Sequence, residues 1–132
     1  MSMNTNNPTN TDNMTDGTAG NQVNKMTLQE LMLRAEEIRA KYEESNARNG
    51  HDAWRIRDYA MGFGGDFGDL MKLVMAKENL RDIDDVDAKL GHELADCLWS
   101  ILVLANYYGV DLEKEFLQTM DIITKRINEA DA

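Results

Sequence analysis

The sequence predicts an all-α protein, a four-helix bundle behind a disordered N-terminal tail, and three observations carry that prediction. The only proline is Pro8, so the whole chain after it lacks the residue that breaks helices. From Leu28 onward, apolar residues recur at spacings of three and four, the period of one helix face. No alternating apolar and polar run of strand length interrupts them, so no sheet is expected.

Residues 1–24 are almost entirely Asn, Thr, Gly, Asp, Gln and Met, with nothing periodic that could bury a face, and read as the tail. Residues 25–132 then form one helical domain, as suits a length near the usual size of about 100–150 residues. The first helix runs from Thr27 to Arg48 on Leu28, Leu31, Met32, Ala35, Ile38 and Tyr42, and stops at the turn signal Asn49-Gly50. Asp52 is placed to cap a second helix, from Ala53 to Asn79, with Tyr59, Phe63, Phe67, Leu70 and Val74 as its buried stripe. The acidic turn Asp82-Ile83-Asp84-Asp85 separates it from a third, Val86 to Tyr108, which buries Leu90, Leu94, Ile101, Leu102 and Ala105 and is closed by Gly109. Asp111 caps a fourth helix to Glu129, whose apolar positions are Leu112, Phe116, Ile123 and Ile127.

The net charge of -10, with no run of Lys and Arg, disfavours a nucleic acid polymer as partner. Nothing approaches the roughly 18 apolar residues of a membrane span, and the N-terminal residues have neither the apolar core of a secretory signal nor the arginines of a transit peptide. A single cysteine, Cys97, makes no internal disulfide and no cysteine-based zinc site, which fits a cytoplasmic protein.

Chemistry is suggested by two acidic pairs, Asp66 with Asp69 and Glu93 with Asp96, each spaced i, i+3 and so on one side of its helix. At about 100° per residue, both pairs border the apolar stripe at nearly the same offset. Packed antiparallel, the two helices would gather four carboxylates whose mutual repulsion calls for a cation. Oxygen ligands without a second Cys or a His pair point to Mg²⁺ or Mn²⁺. Asp82, Asp84 and Glu93 also match positions one, three and twelve of a calcium loop, but Val86 and Asp87 stand where that loop needs an oxygen ligand and a glycine. Gly62, Gly64, Gly65 and Gly68 each cost a helix about 1 kcal/mol relative to Ala, a cost that a closely approaching ligand or backbone would offset.

In this setting the segment Gly65-Asp66-Phe67-Gly68-Asp69-Leu70, followed by Glu93-Leu94-Ala95-Asp96, resembles the paired acidic motifs of the MazG-like nucleoside triphosphate pyrophosphohydrolases. In motif form it is most similar to the dCTP-pyrophosphatase-like members. The likeness extends over residues 54–127, through Cys97-Leu98-Trp99 and Leu104-Ala105 into Gly109-Val110-Asp111-Leu112. It implies an all-α fold, a homodimer or homotetramer, and Mg²⁺-dependent cleavage of a nucleoside triphosphate to the monophosphate and pyrophosphate. Carried over residue by residue, it makes Asp66, Asp69, Glu93 and Asp96 the metal ligands. The chain departs from the family in having Asp at 66 and 69 where Glu is usual, Gly65 for the motif's first acid, and Thr119 and Ile123 where a Lys and an Asn are common.

On that reading Asp69 or Glu93 accepts the proton of the attacking water, Lys125 and Arg126 neutralise phosphate, and Trp54 stacks on the base. His92 is expected beside the site and Cys97 in the core. The rival expectation is a non-catalytic helical module, related to the family, that binds nucleotide or a protein partner. The number of apolar stripes in so short a chain separately predicts an oligomer.

Overall fold

The computed structural model of the protein describes residues 25–131; the tail read over residues 1–24 lies outside the described residues. The described chain is all-helical, with four helices and no strand: α1 Leu28–Arg48, α2 Ile56–Lys77, α3 Val86–Tyr108 and α4 Leu112–Ala130. None of them is long and apolar enough to cross a membrane.

Local chemistry sets most of the boundaries. At the head of α1 the Thr27 hydroxyl accepts from the Glu30 amide at 3.2 Å while the Glu30 carboxylate accepts from the Thr27 amide at 2.6 Å, so two amides that the helix leaves orphaned are satisfied. α3 ends at Gly109, whose φ of 62° suits a residue without a side chain, and Asp111 caps α4 by accepting from the Lys114 amide at 3.1 Å. The cap of α2 differs from expectation. Asp52 does not serve; the helix begins three residues later, and Asp58 reaches back to the Arg55 amide at 2.7 Å. The indole of Trp54 lies against Gly62 and edge-on to Tyr59, holding the preceding residues off the helix axis.

α3 is the central element, packed on α1 along one side and α2 along the other. The α1 seam is small and apolar: Met32, Ala35, Leu102 and Ala105 form its buried core, flanked by Leu28, Leu31, Trp99 and Leu112. Two bonds from side chains to backbone pin it, Trp99 Nε1 to the Ala35 carbonyl at 3.1 Å and Asn106 Nδ2 to the Met32 carbonyl at 2.8 Å. α2 runs antiparallel to α3, since Lys77 pairs with Asp87 at the turn end while Tyr59 meets Trp99 at the other. Buried along that seam are Tyr59 and Leu73 from α2 and Cys97 and Ser100 from α3.

Several residues expected in the core lie outside it. Phe67 and Val74 on α2, and Leu94 and Ile101 on α3, are exposed, and Leu73 fills the place expected for Val74. α4 buries no residue at all; only Leu112, at its start, is drawn toward the core, while Phe116, Ile123 and Ile127 face outward.

Candidate metal and nucleotide site

Antiparallel packing of α2 and α3 brings acids from the two helices together. Asp66, Glu93 and Asp96, all partly buried, place carboxylate oxygens within 4.8 Å of one another. Two oxygens on opposite sides of one ion lie about 4–5 Å apart, twice a metal–oxygen bond, so the spacing suits a single hard cation. The charges act on each other. Burial, with Asp96 and Asp69 nearby, pushes the Asp66 carboxyl above its ordinary value. Burial, then Asp69, Asp96 and Asp66, does the same to Glu93. One oxygen of Glu93, Oε2, is buried without a hydrogen-bond partner, and an ion would satisfy it. The donor set therefore fits Mg²⁺ or Mn²⁺.

Asp69 is the exception among the four expected ligands. Its carboxylate turns along its own helix to accept from Lys72 Nζ at 2.8 Å, and it stands outside the cluster while still near enough to raise Glu93. The i, i+3 spacing that put it on the acid edge equally puts a lysine one turn further within its reach. His92 sits beside the cluster as expected, its Nε2 3.1 Å from Asp96 Oδ2. Cys97 is buried, and burial together with Asp66, Glu93 and Asp96 raises its thiol, which makes it a poor nucleophile.

Next to Asp66 opens a cavity of about 330 Å³, lined by Tyr42, Asn46, Trp54, Tyr59, Gly62, Asp66, Trp99 and Ser100. Its aromatic wall is a continuous chain of rings, with centroids 5.2 Å apart for Trp54 and Tyr59, 6.0 Å for Tyr59 and Trp99, and 5.8 Å for Trp99 and Tyr42. Trp54 lines this cavity together with Asp66. Tyr42, Tyr59 and Trp99 were missed as site residues, because α1, α2 and α3 each contribute one and no local motif joins them.

Lys125 and Arg126 are not brought to this place. Both are exposed on α4, neither lines the cavity, and Lys125 pairs with Glu129 of its own helix at 3.8 Å. Arg39, Arg55 and Arg57 instead line a second hollow, of about 390 Å³, together with Trp54 and Tyr59; Arg39 is already clamped by Glu36 and Glu43.

Comparison with known proteins adds no relative: no protein-family profile, no curated protein and no solved structure matches the chain.

Proposed function

We propose that the chain is a Mg²⁺- or Mn²⁺-dependent nucleoside triphosphate pyrophosphohydrolase, releasing a nucleoside monophosphate and pyrophosphate. The observation that carries this reading is the convergence of Asp66, Glu93 and Asp96 from two helices beside an aromatic cavity that Asp66 itself lines. An aromatic slot next to a cation site suits a ligand with a flat ring at one end and phosphates at the other. The motif resemblance supports the same reading independently of the cavity.

Asp66, Glu93 and Asp96 would hold the ion, which when bound supplies charge neutralisation at the phosphates and acidifies water. Trp54, Tyr59 and Trp99 bind and orient the base by ring contact and exclude water from that end. Asp69 is the group that would accept a proton, since it lies beside the cluster without belonging to it and Lys72 engages only its Oδ1. Lys72 then remains near the site as a cation.

Two observations favour the rival reading, a helical module that binds nucleotide without hydrolysing it: Asp69 is engaged by Lys72, and Lys125 and Arg126 lie away from the cavity. Phosphate release in the presence of an inorganic pyrophosphatase, across ribo- and deoxyribonucleoside triphosphates with Mg²⁺ or Mn²⁺, separates the two. Turnover of at least one nucleotide, abolished by chelator, is expected. Calorimetric binding of nucleotide without turnover establishes the module, and neither binding nor turnover ends both readings.

A further inference from the structure

The second hollow, of about 390 Å³, shares Trp54 and Tyr59 with the aromatic cavity but is lined by none of the clustered acids, and its charge has the opposite sign. Arg39, Arg55 and Arg57 line it against a single carboxylate, Glu43, in a chain whose net charge is -10. The three arginines are not alike. Arg39 donates through all its guanidinium nitrogens to Glu36 and Glu43. Arg57 has only Asp58, at 4.0 Å, the outer limit of an ion pair. Among the described residues no carboxylate takes the Arg55 side chain, and only its backbone amide reaches Asp58.

The backbone adds donors at the same place. Arg55 caps α2, so Ile56 and Arg57 are its first helical residues; their amides donate to nothing among the described residues, while those of Asp58 and Tyr59 reach the Arg55 carbonyl. A separate observation points to a ligand. Tyr59 is only 4% exposed, yet its hydroxyl has no hydrogen-bond partner. Burial, with Glu43, raises its phenol and Arg39 acts the other way, so the hydroxyl faces two residues that line this hollow. Arg39 leaves it unsatisfied because its own N–H groups are turned to the glutamates. An acceptor oxygen entering the hollow would remove the cost of that orphaned donor.

We infer that this hollow binds a phosphate oxyanion, held by the Arg55 and Arg57 guanidinium groups and the Ile56 and Arg57 amides, with the Tyr59 hydroxyl donating to it. Charge and donor number select the ligand. Two guanidinium forks, two amides and a hydroxyl exceed what the two oxygens of a carboxylate accept, whereas a phosphate group brings about two negative charges and three bare oxygens. Free phosphate and a phosphomonoester share that group. The site is separate from the proposed hydrolysis, since no acid of the cluster lines it. Trp54 and Tyr59, which line both hollows, are the shared wall through which occupancy of one is felt in the other.

Isothermal titration calorimetry of the full chain near neutral pH, in chelator, tests the site without any metal, with inorganic phosphate and ribose 5-phosphate as separate titrants. At least one should bind with a dissociation constant of about 1 mM or below, the tighter naming the source, and acetate should bind far more weakly. Arg55→Gln and Arg57→Gln, both at exposed positions, should each leave the circular dichroism spectrum unchanged and weaken binding at least roughly 10-fold. Tyr59→Phe should also weaken it, while the phosphate-free protein melts no lower because the orphaned hydroxyl is gone. No binding of either titrant at about 10 mM overturns the inference. So does binding that both Gln variants retain, or acetate binding as tight as that of phosphate.

Discussion

α3 is held from two sides, and the two seams are made of different material. Against α1 it buries alanines, a methionine and a leucine, and both polar groups that enter, the Trp99 indole and the Asn106 amide, find carbonyls to bond. Against α2 it gathers three carboxylates, a buried Glu93 oxygen with no partner and an aromatic cavity. Among the described residues the first seam has no buried side-chain polar atom of its own left without a partner, whereas the second keeps like charges together and a hollow open. That difference is the reason the proposed function is placed at the α2 seam, where partly buried like charges are held together.

Asp96→Asn preserves size and removes one charge from the α2 seam. Hydrolysis in Mg²⁺ should fall on the order of a thousandfold, about 4 kcal/mol at the transition state, while the melting temperature in chelator holds or rises because repulsion is relieved. A variant as active as the parent would remove Asp96 from the site. Leu102→Ala acts on the other seam and should do the converse, lowering unfolding free energy by about 2–4 kcal/mol in urea titrations while turnover per folded molecule stays near that of the parent. Asn106→Ala, at the same seam, removes one bond to the Met32 carbonyl and should cost about 1 kcal/mol by the same titration.

The smallest effect is one of pH. Asp66 and Glu93 have ordinary values of 3.8 and 4.5 when unfolded and are raised in the folded chain, so the folded state holds their protons longer. Stability from these groups is therefore greatest below the ordinary values and declines as pH rises through the raised ones. Glu30 and Glu36, lowered by Thr27 and Arg39, slope the other way in acid, so the difference between Glu93→Gln and parent is the useful quantity. In chelator that difference should grow in the variant's favour from about pH 4 upward, and Mg²⁺ should erase it. A flat difference would place Glu93 in an ordinary solvated setting.

What was legible in the sequence follows the same division. Helix ends governed by residues in the helix itself were readable, including both ends of α3 and the Asp111 cap. The start of α2 was not, because Trp54 packs on Gly62 and Tyr59 rather than continuing the helix from Asp52. Periodicity found the apolar residues of α2 but not the side they face: Phe67 and Val74 belong to a second stripe beside that of Tyr59 and Leu73, and only packing against α3 separates the two. Spacing likewise brought Asp66, Glu93 and Asp96 together, yet did not foresee that Lys72 would hold Asp69. The aromatic chain through Tyr42, Tyr59 and Trp99 was invisible because its rings are joined only by the fold.

α4 carries a consequence for measurement. A helix of 19 residues that buries none of them is near the length at which an isolated helix is marginal in water. Within a lone chain its amides should exchange with solvent almost as fast as an unstructured peptide, while those of α3 are protected to the full unfolding free energy. Any contact that covers Phe116, Ile123 and Ile127 would slow that exchange in proportion to its occupancy. A contact of that kind with a second copy would make the helicity of the chain depend on its concentration, and mean residue ellipticity on dilution would report it.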